Sequence, residues 1–387
     1  MVHLLPPLTV GVVCDYAEEG WPSMDLAAEL LVAGLREHAP GWEPAALRPP
    51  MPRAFGQVLR GRTGRNADRL VARHLAYPRW LRRHAGGMDL YHVVDHSYAH
   101  LVHALPAERT VVTCHDLDAF RSVLDPAREP RPAWFRAMAN RLLSGLRRAA
   151  FVVCDSDVVH AELLSYGVLP PDRVSTVPLP AHPDFSAEPD AGADAEAARL
   201  LGAAEGHADL LHVGSTVARK RIPLLLKAFA QVAPVVPGAR LIRVGGPLEP
   251  EQRRIAEEYE ILDRIVQVPF VERRTLAAIY RRAALVVYPS EREGFGLPLV
   301  EAMACGATAV ASDLPVFREV AGDAVQYVAR DDPDGWAQAV CGAIDRLAAP
   351  EGRAEARTAA LRRAERFALA TYAQSIAKIY EDVLEAA

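Results

Sequence analysis

No two cysteines stand at C-x-x-C spacing. Cys14, Cys114, Cys154, Cys305 and Cys341 are scattered and odd in number. That argues against a disulfide framework or a cysteine-type zinc site and fits a reducing compartment. No uncharged run reaches the ~18 residues expected of a membrane span. The stretch from Met1 to Val13 is apolar, but it has two prolines, no Lys or Arg, and no small-residue cleavage site. It reads as a short tail entering a first strand, without a signal peptide, so a cytoplasmic location is expected. A large charge of one sign is also missing. The formal net charge is -5, unlike that of a strongly basic nucleic-acid binder, and no nucleic-acid partner is expected. The loop Asp15–Ser23 contains no G-x-G-x-x-G, which weighs against an ordinary NAD enzyme. The absence of G-x-S-x-G and H-E-x-x-H disfavours a serine hydrolase or a zincin. No repeat of roughly 20–50 residues is visible.

What is present is apolar residue in quantity. Half of the 387 residues are hydrophobic, enough for two cores of ordinary domain size. Short apolar runs recur at Thr9–Cys14, Leu90–Val94, Thr110–Cys114, Ala150–Cys154, Leu210–Val213, Arg240–Val244, Ile265–Val268, Leu285–Tyr288 and Thr308–Ala311. Stretches with helical spacing lie between them, among them Leu26–Glu37, Ala133–Arg148, Ile222–Val232 and Arg274–Arg282. Continuous apolar strands alternating with helices predict parallel sheets covered on both faces. Ala, Pro, Glu, Asp and Gly dominate from about Pro180 to Gly206, the best linker candidate. The expected division is an N-terminal domain over 1–185, a C-terminal domain over 186–366, and a last helix over 367–387. In doubly wound domains, ligands sit at the carboxyl ends of the strands. Tyr372, Ile376, Ile379, Tyr380 and Val383 form one apolar stripe on the last helix.

The most informative segment runs from Tyr288 to Gly306: Y-P-S-E-R-E-G-F-G-L-P-L-V-E-A-M-A-C-G. It starts at the end of a buried strand. Gly294 and Gly296 admit backbone conformations closed to other residues, Pro298 suits a first helical turn, and Gly306 suits the far end as a cap. Strand, Gly-rich loop and short helix together make an anion site, because the first N–H groups of a helix are free. Glu293 and Glu301 flank that cradle. Carboxylates touching phosphates would repel them, so each is better placed to accept hydrogen bonds from vicinal sugar hydroxyls. The bland alternative is two glutamates favoured by the helix dipole.

Glu293-x7-Glu301 within E-G-F-G-L-P-L-V-E-A-M-A-C-G resembles the signature of family 4 of the retaining glycosyltransferases. The resemblance implies the GT-B fold: α/β, two Rossmann-like doubly wound domains facing a central cleft, with the C-terminal helix crossing back to the N-terminal domain. It implies that Glu293 contacts donor-sugar hydroxyls. Gly294, Phe295, Gly296 and Leu297 would approach sugar and phosphates through their backbone, and Glu301 would bind the ribose. The segment Leu211–Arg221, L-H-V-G-S-T-V-A-R-K-R, resembles the family's G-x(n)-R-K stretch on the donor diphosphate, with Gly214, Ser215, Arg219 and Lys220 as contacts. Lys220 would act as a point charge and Arg219 as a fork. Ser215 departs from the Arg that several members carry there, which shifts the load to Arg219 and Lys220. His115, in V-V-T-C-H-D-L, resembles the strand-end His that reaches the donor sugar or its phosphate. Asp116 could orient its ring or cap the next segment. Glu293, His115 and Lys220 are thus the expected catalytic set.

Asp95, His96 and Tyr98, following the strand at Tyr91–Val94, are candidate acceptor contacts, although an N-cap from Asp95 or Ser97 explains the polar residues equally well. The strings Asp155-Ser-Asp157 and Asp116-Leu-Asp118 match the D-x-D of metal-dependent transferases. Capping accounts for Asp155–Asp157, and no metal or other cofactor is expected. From Arg53 to Arg83 nine arginines (Arg53, Arg60, Arg62, Arg65, Arg69, Arg73, Arg79, Arg82 and Arg83) face one acid, Asp68. This stretch either forms a solvated basic helix pair or meets an anionic acceptor or the inner face of a membrane. The expected partners are a nucleotide-sugar donor and a hydroxyl acceptor on a polysaccharide, glycolipid or small molecule. Two alternatives stay open: a non-hydrolysing nucleotide-sugar epimerase, and a catalytically silent nucleotide-binding scaffold.

Overall fold

Runs of Val, Leu and Ile bounded by Gly, Pro and Asp become parallel strands in both halves of the chain, as expected where both faces of a sheet are covered. The computed structural model describes residues 6–52, 62–203 and 205–387. The chain divides into two compact units: Met1–Leu179 with Leu369–Ala387, and Pro180–Ala368.

The first unit holds a sheet of β1 (Leu8–Val13), β2 (Trp42–Leu47), β3 (Leu90–Val93), β4 (Thr110–Cys114), β5 (Phe151–Cys154) and β6 (Val174–Thr176), in the order β2-β1-β3-β4-β5-β6. Every neighbouring pair is parallel. β4 is buried at all five positions. The order reverses between β1 and β3, so the loops that leave these two strands open a crevice at their carboxyl ends.

The stripe on the last helix has its partner here. Helix Leu369–Ala386 packs on helix Pro22–His38, where the bare Cα of Gly34 lies against Leu369 and Ala373. Tyr380 fastens it to the sheet: its hydroxyl is 2.6 Å from Nδ1 of His92, whose Nε2 is 2.7 Å from the Thr113 hydroxyl. His92 is fully buried, and burial pushes it down to about 3, so it is a neutral ring with both nitrogens bonded.

The second unit holds β7 (Ala208–Val213), β8 (Ala239–Val244), β9 (Ile265–Val268), β10 (Leu285–Tyr288), β11 (Ala309–Ser312) and β12 (Gln326–Val328), all parallel, in the order β12-β11-β10-β7-β8-β9. Its reversal lies between β7 and β10. These are the two strands that run into the Gly214 loop and the Gly294–Gly296 loop.

Three strands escaped the sequence reading. β2 carries Pro44, while β6 and β12 have three residues each, too few for a run to stand out. The proposed linker is another correction. Residues 180–206 contain helix Ala191–Leu201, capped by Asp190, which accepts from the N–H groups of Gly192 and Ala193. It packs against helix Arg273–Arg282 with Ala193, Ala197 and Leu201 buried, so an Ala-rich segment that resembled a tether is a packed element of the second unit. The chain passes between units at Leu179 and Pro180, and again at Ala368 and Leu369.

Gly145 lets helix Ala133–Arg148 sit against segment His96–Ala104, because a Cβ there would collide with the Ala99 carbonyl. Gly145→Ala should therefore cost about 1–3 kcal/mol, the usual range for overpacking. Urea denaturation checks this, and an unchanged midpoint would mean that the two elements separate freely.

Candidate functional site

β7 and β10 deliver the predicted donor residues to one place. After β7 the chain turns at Gly214 and passes through a short 3-10 segment, Ala218–Lys220. Arg221 then adopts a left-handed backbone, φ 52°, before helix Ile222–Val232. A non-glycine residue held there costs on the order of 1–3 kcal/mol. Its side chain is fixed by Asp331 at 2.6 Å. After β10, Gly296 (φ 109°) is the N-cap of helix Leu297–Ala304. A Cβ on it would meet the Phe317 ring at 2.9 Å. The expected sequence of strand, glycine loop and short helix is present. The two loops are tied by a backbone bond from Glu291 N–H to the Arg219 carbonyl, 2.8 Å.

Glu293 lies at the centre of this arrangement. One of its carboxylate oxygens is 2.6 Å from Lys220 Nζ and accepts from the Ser290 hydroxyl at 2.8 Å; the other accepts from Arg219. Lys220 Nζ also donates to the Tyr288 hydroxyl at 2.5 Å and lies 4.6 Å from the centre of that ring. The Lys220 and Glu293 side chains are only 9% and 8% exposed. Burial alone would raise the Glu293 carboxyl, but Lys220 and Arg219 overcome it and hold the group below its ordinary value. For Lys220, burial wins and lowers the ammonium pKa despite Glu293.

Glu301, one helical turn inside Leu297–Ala304, accepts from the Tyr280 hydroxyl at 3.0 Å. Burial pushes it up to about 7, against the opposing pull of that hydroxyl, Arg273 and Lys220. Phe295 is buried and packs edge-on against Phe367, so its contribution to the loop is its backbone. Ser215 and Leu297 are half-buried at the loop and the helix start.

Arg243 was missed by the sequence reading. It stands on β8, fully buried; its Nη1 is 2.6 Å from His212 Nδ1 and donates to the Gly214 carbonyl at 3.3 Å. Burial lowers it to about 10. No carboxylate meets it among the described residues, so its charge stands directly behind the Gly214 loop. The sequence signal was available: an Arg in the middle of the apolar run Leu241–Val244.

In the first unit, His115 follows β4 as predicted, but both ring nitrogens are occupied. Nδ1 is 2.5 Å from Asp155 and Nε2 2.7 Å from the Val94 carbonyl. Burial opposes its charge, yet the Asp155 carboxylate prevails and raises it to about 10. Two readings need correction. Asp155, not Asp116, orients His115. The cap of helix Asp157–Ser165 is Ser156, which accepts from Val159 N–H at 3.2 Å, so Asp155 is not explained by capping. Asp116 instead lies 3.3 Å from His96 Nε2.

Asp95 does cap the segment His96–Ala104, accepting from Ser97 N–H at 2.7 Å. Tyr98 is buried, with the Arg73 guanidinium 4.2 Å over its ring. Asp15, after β1, was also missed. Burial and the neighbouring Asp95 carboxylate push it up to about 9, so it stands as a neutral acid beside an ionised one. Of the basic stretch, Arg53 and Arg60 lie outside the described residues, and nothing is described of the Arg62 and Arg65 side chains. Among the described residues, no helix is long and apolar enough to cross a membrane.

The model of "Glycosyltransferase Family 4" matches residues 29–185, and that of "Glycosyl transferases group 1" matches residues 195–360. A D-inositol 3-phosphate glycosyltransferase of Segniliparus rotundus is 30% identical over 336 residues, 84% of this chain and 69% of that protein. The O-antigen chain mannosyltransferase B of Escherichia coli is 30% identical over 236 residues, 59% of each chain. A D-inositol 3-phosphate glycosyltransferase of Mycolicibacterium smegmatis is 29% identical over 259 residues, 65% of this chain. The matches span 59% and 57% of the length of these last two relatives. Among solved structures, sucrose-phosphate synthase of Thermosynechococcus elongatus aligns with TM-score 0.72 at 22% identity, over 98% of this chain and 100% of that one. Anabaena HepE in complex with UDP and glucose aligns with TM-score 0.71 at 16% identity, over 97% and 100%. At such identities these two likenesses concern the fold alone.

A raised imidazole pKa stabilises the fold below the unfolded value, ~6.5, and that contribution is lost as pH rises through the folded value. The stability margin of wild type over Asp155→Asn should therefore be full near pH ~6 and narrow as pH rises through about 10. Urea unfolding across this range checks it, and a margin independent of pH would mean that His115 is uncharged.

Proposed function

The chain belongs to glycosyltransferase family 4, and on that premise we propose that it moves a sugar from a nucleoside-diphosphate sugar to an acceptor hydroxyl with retention of anomeric configuration. One observation carries this reading: Lys220, Arg219 and Glu293 converge at the strand reversal of the second unit, where doubly wound sheets bind their ligands. The acceptors in its relatives' names, an inositol phosphate and an O-antigen chain, share an alcohol nucleophile, the class proposed here.

In this reading the donor diphosphate replaces the Glu293 carboxylate as the partner of Lys220 and Arg219. Glu293, released, accepts hydrogen bonds from the hydroxyls of the transferred sugar. The N–H groups at Gly294, Gly296 and Leu297 approach the phosphates, with Gly214 and Ser215 on the opposite loop. Arg243 adds fixed positive charge behind Gly214. As the glycosidic bond breaks, negative charge grows on the diphosphate, and preorganised cations favour that change. The same field stands in for a divalent ion, so no metal is required. The departing phosphate oxygen takes the acceptor proton on the face where the sugar is attacked. Asp95, His96 and Tyr98 are the proposed acceptor side, and His115, locked by Asp155, holds their loops as a fixed positive charge.

Thermal unfolding with UDP, GDP, dTDP, ADP and CDP, with and without EDTA, tests the donor site. Saturation at 100 times the dissociation constant adds about 2.7 kcal/mol, a shift of a few degrees in a domain this size. One nucleotide should raise the transition equally with EDTA present. No shift with any of them would reject the reading.

Glu301 supplies a pH test. Ribose hydroxyls donate best to an ionised carboxylate, and its pKa stands at about 7. Nucleotide affinity should fall at least threefold below that pH, beyond any fall seen in Glu301→Gln, which retains the ligand's own titration. Parallel pH profiles for the two proteins would remove Glu301 from the ribose.

A further inference from the structure

The basic stretch that remained unexplained in the sequence opens onto a cavity. It has a volume of about 370 Å³ and lies in the first unit, within the ~300–1,000 Å³ range of small-molecule sites. His74, Arg79 and Arg82 line one side, and His100, His103 and Arg141 the other, with no carboxylate in the wall.

The backbone bends to make this site. Segment Ala72–Ala76, between helices Arg62–Val71 and Tyr77–His84, is a π-helical turn, a form found often at functional sites. It brings His74 onto His100, with ring centres 4.5 Å apart. Arg79 and Arg82, three residues apart, then share a helix face.

Two features mark it as a ligand site rather than a solvated surface. First, the arginines are unneutralised. Arg69 and Arg73, earlier in the same stretch, are both engaged by the Glu19 carboxylate, whereas no carboxylate meets Arg79, Arg82 or Arg141 among the described residues. The cost registers on the imidazoles. Burial, and then Arg73 and Arg141, lower His74, and burial and Arg141 lower His103. Second, His100 is 3% exposed and its Nδ1 has no partner among the described residues. Nε2 lies 2.8 Å from the Arg73 carbonyl and must carry the hydrogen, which leaves a buried lone pair at Nδ1. Such an atom costs about 1–3 kcal/mol when left unmet.

We propose that this cavity binds a phosphate monoester, with Arg79, Arg82 and Arg141 on its anionic oxygens and His100 Nδ1 accepting from its remaining P–OH. A monoester monoanion spreads one charge over two oxygens, for the arginine forks, and keeps one P–OH, whose pKa is ~6, for the imidazole. The volume leaves room for the group it is attached to. That group is either a soluble polyol or sugar, or the glycerol of an anionic lipid.

The test uses the full chain. Histidine side-chain NMR is followed during titration with glycerol 3-phosphate, with His74→Gln and His100→Gln assigning the two rings. Both rings should shift saturably, glycerol should move neither, and Arg82→Ala/Arg141→Ala should weaken the response at least tenfold without lowering the melting temperature. Reading the shift at His74 and His100 separates this site from phosphate held by Lys220. Flotation with phosphatidylcholine vesicles, with and without phosphatidic acid, then separates the sources. Arginine-dependent flotation on phosphatidic acid assigns a lipid, and ring shifts without flotation assign a soluble ester. Unmoved rings together with no flotation on phosphatidic acid would overturn the proposal. So would a response that the double variant leaves unchanged.

Discussion

The buried contact between Lys220 and Glu293 is the constraint around which the second unit is arranged. Two opposite charges, each less than one-tenth exposed, are costly to desolvate, and such a pair persists only where geometry and extra hydrogen bonds compensate. Here the compensation is visible in the Ser290 and Tyr288 hydroxyls and the Arg219 guanidinium. Removing one partner from such a pair typically costs about 3–5 kcal/mol. The left-handed Arg221, the close approach of Gly296 to Phe317 and the loop-to-loop bond at Glu291 keep the two loops in register around it. Under the proposed function, an ion pair that is tight without ligand is also the means by which this site would take an anion. The diphosphate need only exchange one anionic partner of two cations for another, and the freed carboxylate is then a ready acceptor for sugar hydroxyls.

The first unit settles charge differently. His115 is fixed in its charged form by Asp155, His96 lies between Asp95 and Asp116, and Asp15 remains neutral beside Asp95. These groups gather where the loops after β1, β3, β4 and β5 meet. His115, Asp155, His96, Asp95 and Asp116 are paired with one another, while both Asp15 carboxyl oxygens lack a hydrogen-bond partner among the described residues. Farther along His96–Ala104, the same element supplies His100 and His103 to a cavity with cations and no anion. The contrast between a balanced cluster and an unbalanced one is what carries the proposal of a ligand at the second.

The parallel α/β class was legible because fully buried strands leave uninterrupted apolar runs. Thr110–Cys114, Ile265–Val268 and Leu285–Tyr288 match their strands residue for residue. Edge strands β2, β6 and β12 were not legible, since a three-residue strand, or one carrying Pro44, leaves no pattern. Ala191–Leu201 was misread because alanine and acidic residues look like a tether until a partner helix is known. In the site, Glu293, Lys220 and Glu301 could be found because glycine and proline spacing announces a strand–loop–helix turn. Asp155 as the partner of His115 could not, and the apolar run Leu241–Val244 marks Arg243 as a buried cation without placing it behind Gly214. Each lies on a neighbouring strand or its loop, and adjacency across a sheet is set by strand order, which residue spacing does not encode.

The central claim is that Lys220 is a phosphate cation held ready by Glu293. Calorimetry on Lys220→Ala tests it directly, comparing the nucleoside diphosphate that binds wild type with its parent nucleoside. The account predicts that the diphosphate loses at least tenfold more affinity than the nucleoside, about 1.4 kcal/mol. Equal losses for both would contradict it, because Lys220 would then be supporting the fold of the loop rather than the phosphates.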